Sequence, residues 1–198
     1  MKSPGMQTVG GFDFHKFVDD ELSSNGFRVR QITNEYMTAR LDDIMGLVNG
    51  TREEYARSYG WKSEPREYFL NGLKRKWDFS FAVEAISTGT ICFVSLSSVY
   101  GDILHMHCAY AAEKYRRADL GKLLNIKLCQ TGIDAGFSLI EGYWPKQNNG
   151  SIILFLRMGW QIDDLRKEGT QLFLVADLGK SRDQTYQLIL KERGQGPK

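Results

Sequence analysis

The passage from Ile103 to Ala135 constrains this chain most, because an apolar-rich run, a basic turn and a mostly apolar helical run follow one another without a linker. Ile103 to Ala111 (ILHMHCAYA) reads as a strand. Tyr115-Arg116-Arg117-Ala118-Asp119-Leu120-Gly121-Lys122 reads as a turn. From Leu120 to Ala135 the spacing predicts a helix, with Leu123, Leu124, Ile126, Leu128 and Ile133 on its apolar stripe and Gly136 as its stop. A strand that feeds a basic, glycine-containing turn at a helix start presents unpaired backbone N–H groups and a positive dipole end to an anion. Arg116, Arg117, Asp119, Leu120, Gly121 and Lys122 are therefore the candidate phosphate-binding residues.

The rest of the chain reads as elements that would carry this turn. Phe27 to Ile32 alternates apolar with polar residues, the signature of a half-buried strand. Thr33-Asn34 caps a helix beginning at Glu35, with Met37, Leu41, Ile44, Met45 and Val48 on one face and Asn49-Gly50 as its stop. A second helical stretch starts at Thr51, breaks at Gly60 and restarts at Pro65. From Trp77 the period becomes two: Phe79, Phe81 and Val83 form one strand, Thr88-Gly89 turns into Ile91 to Tyr100, and Gly101-Asp102 turns into the strand at Ile103. Beyond the central helix come a strand from Phe137 to Tyr143, a helix from Asn148 to Met158, a strand from Gln171 to Asp177 and a closing helix from Gln184 to Arg193. The order βαα-βββ-α-β-α-β predicts an α/β fold with a mixed central sheet flanked by helices. Residues 1–26 are read as an N-terminal extension, helical in spacing only from Phe12 to Leu22, ahead of a single domain at 27–198.

Composition sets the outer limits. A chain of 198 residues with 42% hydrophobic content suits one domain, and 26 basic against 24 acidic residues argues against a general nucleic-acid binder. Cys92, Cys108 and Cys129 lie in apolar runs, an odd number without regular spacing, so reduced, buried thiols and a cytoplasmic setting are expected. Neither a signal peptide nor a membrane span is indicated, and no metal site is read.

The turn, an Arg-x-x-Gly-x-Gly pattern with Asp119 in the first glycine's place, resembles the acyl-CoA loop of the GCN5-related N-acetyltransferase (GNAT) superfamily. Asn148, Ser151, Phe155, Gly159 and Trp160 resemble that superfamily's later signature, with Phe155 where many members carry a tyrosine acid. The resemblance implies a mostly antiparallel sheet, and a co-substrate that is an acyl-phosphopantetheine thioester, on acyl carrier protein or coenzyme A, rather than a permanently bound cofactor. It places the donor arm beside Cys108, Ala109 and Tyr110, with Asn148 nearby and Phe137 and Phe155 lining the acyl chain. Over Phe27 to Asp177 the chain also resembles the long-chain N-acyl amino acid synthases, which implies transfer from acyl carrier protein to the α-amine of an amino acid, tyrosine among the candidates. The helical insertion from Met37 to Lys76 is then a candidate wall of the acyl pocket, or plain core.

His105 and His107 share a strand face, and their spacing from Arg116 is similar to the His-x-His pair of arylalkylamine N-acetyltransferases. Acyl transfer needs a neutral amine, so a base near pKa 6.5 suits the task, with Glu84 on the neighbouring strand as a further candidate. Asp119 would cap the helix, occupy the N–H groups that hold a pyrophosphate, and repel that anion by about 1 to about 4 kcal/mol at about 4 Å, depending on the dielectric. A donor with fewer phosphates suffers less, which favours acyl carrier protein, whose acidic surface would meet Arg116, Arg117 and Lys122. Two rivals stay open: an acetyl-CoA-dependent N-acetyltransferase of a small amine, and a catalytically silent acyl-binding module.

Overall fold

The computed structural model describes residues 11–116 and 118–195. Its elements run α1 (Phe14–Ser24), β1 (Phe27–Gln31), α2 (Asn34–Ala39), α3 (Leu41–Glu54), α4 (Ala56–Tyr59), α5 (Arg66–Leu70), β2 (Phe81–Ala85), β3 (Ile91–Tyr100) and β4 (Ile103–Ala111), then α6 (Leu120–Asp134), β5 (Leu139–Pro145), α7 (Asn149–Arg157), β6 (Gln161–Arg166), β7 (Gln171–Asp177) and α8 (Leu178–Glu192). The strands form one seven-stranded sheet in the order β1-β2-β3-β4-β5-β7-β6. Every neighbouring pair is antiparallel except β4 and β5. This is the mixed α/β architecture expected from the residue pattern, mostly antiparallel as the resemblance implies.

The sheet buries both faces. On one, Phe93, Leu104 and Met106 pack with Leu123, Leu124 and Leu128 of α6 and Leu178 and Ile189 of α8. On the other, Ile32 after β1 and Met37, Leu41, Ile44 and Phe69 from the helical insertion pack on Val94, Leu96 and Cys108. Met37, Leu41, Met45, Tyr68 and Phe69 of the insertion are therefore packed core rather than the wall of an acyl pocket, and Leu73 of that segment is exposed.

Several elements depart from the periodic reading, each for a local reason. The helix predicted to stop at Asn49-Gly50 runs on to Glu54. Asn49 is satisfied there by tertiary bonds, Nδ2 to the Glu64 carbonyl at 3.0 Å and the Glu64 amide to Oδ1 at 2.8 Å, so its competing local bonds do not break the helix. Strand β6 is missing from the predicted order because its sequence, QIDDLR, is charged and wholly exposed at the sheet edge. It joins β7 through Lys167, Glu168 and Gly169, all at positive φ. The last helix starts at Leu178, capped by Asp177 accepting from the Lys180 amide at 2.7 Å, six residues before its predicted start at Gln184. From Phe14 onward α1 belongs to the core, with Phe14, Val18 and Leu22 buried and Phe14 and Phe17 meeting Tyr186 of α8 edge-on.

Gly159 ends α7 in a Schellman turn: its amide donates to Leu156 and the Trp160 amide to Phe155, both at 3.1 Å, while its φ is +90°. A Cβ here would stand 2.3 Å from Gln184 Oε1 and 3.3 Å from the Ser181 Cα. Gly159→Ala combines backbone strain with a clash and should lower unfolding free energy by about 1 to 3 kcal/mol in a urea titration. A midpoint within error of wild type would mean that α8 yields freely at this contact.

Candidate functional site

The site is built where β4 and β5 part. They pair only at Leu104–Ile140, His105–Glu141 and Met106–Gly142, after which β4 runs to Ala111 and β5 to Pro145 without a shared ladder. Gly142, the last paired residue, has no room for a side chain, since a Cβ would lie 2.9 Å from the Trp144 ring and 3.2 Å from the Met106 carbonyl oxygen. Trp144 then packs on Phe155 at 4.6 Å and on Trp160 at 5.2 Å between ring centroids, holding β5 against α7 rather than against β4. On its other side β4 carries a bulge: Leu96 faces Cys108 and Ser97 faces Met106, leaving His107 the extra residue.

A cleft of about 560 Å³ opens beside the parted strands, bounded by Ala109, Tyr110 and Ala111 of β4, by Gly121 and Leu124 of α6, and by Ser151 and Phe155 of α7. It runs inward to Phe93, Met106 and Leu128, and outward to Arg116, Asp119 and Lys122 at the turn. Its mouth is faced by Tyr55 and Trp61 of the insertion, which the sequence reading did not single out. A smaller void of about 50 Å³ lies between the two parted strands, lined by His107, Cys108, Tyr143 and Trp144, and shares Ala109, Tyr110 and Phe155 with the main cleft. That void adjoins the cleft wall at Ala109 and Phe155 and reaches His107.

The opposite sheet face carries the histidines. Their rings lie 4.9 Å apart, in the expected same-face arrangement. His107 Nε2 is 2.6 Å from Ser98 Oγ, and His105 Nδ1 is 2.9 Å from Glu141 Oε1. Glu141 was missed in the sequence, where it stands as one acidic residue in the apolar run Leu139 to Trp144; only its register opposite His105 reveals it. Burial, with the nearby charges of His105 and Lys76, pushes the His107 imidazole down to about 4, so it is neutral at pH 7 and binds a proton less readily than the ordinary imidazole expected. Lys76 is itself buried, its ammonium donating to the Tyr68 carbonyl at 3.0 Å and Asn71 Oδ1 at 3.2 Å.

Other expected site residues are placed elsewhere. Glu84 does not line the cleft. Its buried carboxylate accepts from Arg28 Nε, Arg40 Nη1 and Tyr36 Oη, each at 2.7 Å, tying β1 and α2 to β2. Burial pushes its pKa up, but these donors outweigh that and hold it below the usual carboxylate range, so it serves as an ion-network centre rather than a free base. Phe137 also lies outside the cleft, edge-on to Phe79 at 5.4 Å with Arg75 over its ring. Phe155 lines the cleft. Cys108 is fully buried and its thiol pushed up to about 12 by that burial, the condition of a structural cysteine.

Asp119 behaves unlike the expected cap. It sits in the left-handed region at φ +57° and its side chain makes no capping bond to α6. Its carboxylate instead accepts from Lys122 Nζ at 2.7 Å, and Lys122 is shared with Glu192. Arg116 is likewise engaged, by Glu54 and by Tyr55 Oη at 3.1 Å. Arg117, expected at the turn, lies outside the described residues. Asn148 caps α7 through the Ser151 amide at 3.3 Å while lining the cleft. Among the described residues no helix is long and apolar enough to cross a membrane, and no group of three or more His, Cys, Asp or Glu side chains is arranged to hold a metal.

A scan against protein-family models and a search of curated proteins return no match. Solved structures do match. PaiA N-acetyltransferase from Thermoplasma acidophilum, in complex with coenzyme A, aligns with TM-score 0.61 and 14% identity over 76% of this chain and 98% of its own. The ribosomal-protein-S18-alanine N-acetyltransferase of Escherichia coli aligns at 0.59 and 14%, over 77% and 94%. A GNAT-family acetyltransferase of Staphylococcus aureus aligns at 0.63 and 8%, over 77% and 99%. At these identities the likeness is one of fold, and the chain has the fold of the GNAT acetyltransferases.

The half-buried, desolvated His107 gives a pH test. An unfolded imidazole gains its proton near pH 6.5, the folded one only near pH 4. As pH falls through that window the unfolded chain binds a proton the folded chain does not, so stability is lost between about pH 6.5 and about pH 4. Relative to His107→Gln, wild type should lose on the order of 3 kcal/mol across this range in urea titrations. Parallel pH profiles would show that His107 is not desolvated.

Proposed function

We propose that this protein is an N-acyltransferase that moves an acyl group from a phosphopantetheine thioester to a primary amine by direct attack. One observation carries the reading: β4 and β5 part beside a basic turn, next to a cleft whose wall adjoins a void that reaches His107, one of a half-buried histidine pair. The parted edge of β4 offers backbone groups to the amides of a pantetheine arm, as a missing sheet neighbour would, and an N–H in Cys108 to Tyr110 stands ready for the oxyanion of the tetrahedral intermediate. The turn and the first amides of α6 receive the phosphate.

The acceptor amine enters from the histidine face. His107, at the gap and neutral, accepts the proton. His105, oriented by Glu141, stands beside it with its ring 4.9 Å away. Phe155 supplies no acid for the leaving thiolate, whose pKa near 8.5 lets it depart without one. His107→Ala should lower kcat roughly 10²-fold and Glu141→Gln about tenfold, with folding retained. Turnover of His107→Ala equal to wild type from about pH 6 to about pH 9 would return the pair to a structural role.

The acyl group is read as a long fatty chain, since the cleft continues past the turn into an apolar interior at Phe93, Leu124, Leu128 and Met158. Each methylene buried there contributes about 0.8 kcal/mol. The acceptor is read as the α-amine of an amino acid, tyrosine among the candidates. For the carrier of the arm, coenzyme A is favoured: Asp119 neither caps α6 nor stands without a counter-charge, so the argument against a pyrophosphate lapses. PaiA N-acetyltransferase is in complex with coenzyme A in its structure. Acyl carrier protein is the second reading, supported by exposed Arg57, Lys62 and Lys114, which make no ion pair among the described residues and neighbour the cleft's Tyr55, Trp61 and Tyr115. Matched acyl-CoA and acyl-carrier-protein donors should separate the two. Preference for the carrier protein, with rates falling as salt rises, would reverse the donor assignment. Lipid extracts of expressing cells should contain N-acyl amino acids, and acetylated amines instead would point to the small-donor enzyme.

A further inference from the structure

Strand β6 ends the sheet on one side, and no strand lies beyond it among the described residues. Every residue of β6 is exposed. An edge strand presents N–H and C=O groups that another strand can take up, and native edges are commonly guarded by charge. The charges here are of both signs and ordered. Asp163-Asp164-Leu165-Arg166-Lys167 runs acid, acid, apolar, base, base, so its charge inverts about Leu165.

The backbone has the same centre. Leu165 stands opposite Leu172 of β7, yet its amide donates to Asp164 Oδ1 at 2.7 Å. Successive residues of an antiparallel strand direct their N–H and C=O groups to alternate sides, so those of Leu165 point to the open edge. A second copy of β6, antiparallel about a two-fold axis at Leu165, would set the Leu165 amide of each copy against the Leu165 carbonyl of the other. Asp164 of one copy would then stand opposite Arg166 of the other. Within one chain Arg166 Nε is already 3.0 Å from Asp164 Oδ2, so pairing exchanges an intrachain contact for contacts between chains. Asp163 is the bulged residue and Lys167 enters the turn at positive φ, which leaves Asp164 and Arg166 to carry the register.

Apolar surface supplies the drive. Leu165 is 53% and Ile162 50% exposed, and their partners Leu172 and Leu174 place them on the sheet face on which α7 packs. Helix α7 lies against β6 and exposes Ile153 and Leu156. A two-fold contact uses each of these residues twice, because both copies offer the same patch.

We infer that β6 pairs with the β6 of a second copy of this chain, joining two seven-stranded sheets edge to edge in a symmetric homodimer. One symmetry operator serves the open edge, the inverted charges and the apolar residues together, whereas a foreign strand would satisfy the edge without matching the charges. The inference is independent of the acyltransferase reading. It sets the two histidine faces on the same side of the joined sheet.

Sedimentation velocity of the full chain tests it. The wild-type mass should rise from one chain to two as concentration increases. Leu165→Glu should remove the dimer, and Asp164→Arg or Arg166→Glu alone should weaken it by about tenfold or more, since each sets like charges opposite one another. Mixing the two charge variants should restore the dimer, because opposite charges then meet at both positions, and chains that had failed to fold could not be rescued in this way. A wild type that stays a single chain at every concentration overturns the inference and leaves the edge to another partner. A dimer indifferent to Leu165→Glu and to charge reversal, or charge variants that mixing does not rescue, also overturns it and places the contact elsewhere.

Discussion

The separation of two parallel strands is the constraint on which this molecule depends. A strand interior must place its N–H and C=O groups somewhere, and β4 beyond Met106 has no β5 to receive them. The fold holds this arrangement with local devices. Gly142 leaves room for the Trp144 ring, Trp144 ties β5 to Phe155 and Trp160, and the bulge at His107 lets Ala109 join the α6 face while Cys108 joins the other. Without the parting there would be a continuous sheet and no void beside His107 between β4 and β5.

Electrostatics around the turn follows from pairing rather than from net charge. Lys122 is partly buried; burial lowers its pKa, but Asp119 and Glu192 outweigh that and hold the ammonium charged. Arg116 is held by Glu54 of the insertion, so the inserted helices and the turn are joined by an ion pair at the cleft's mouth. A phosphate arriving here would compete with these carboxylates for the same cations. That competition, not a blocked helix end, is how acidic residues would tune donor affinity.

Most of the element order and the strand–turn–helix at its centre were legible because each depends on local pattern: period two in Phe27 to Ile32, an apolar stripe in α6 and Gly136 after its end. The His105–His107 face followed from the same alternation. What escaped the sequence depends on long-range placement. Strand β6 has no apolar alternation and exists only because β7 pairs with it. Glu141 and Ser98 acquire meaning from cross-strand register alone. Asp119 was read as a cap from residue type, but its left-handed backbone turns the carboxylate to Lys122 instead. The insertion was read as a pocket wall or as core because both need the same apolar residues, and only packing distinguishes them.

The account stands or falls on whether an acyl arm lies along the parted edge of β4. Hydrogen–deuterium exchange with and without a non-cleavable long-chain acyl thioether of coenzyme A would measure this directly. The account predicts slowed exchange in residues 107–111 of β4 and in the first turn of α6, with β1 and β2 unaffected. Slowed exchange confined to other segments, with residues 107–111 unchanged at saturating ligand, would contradict it.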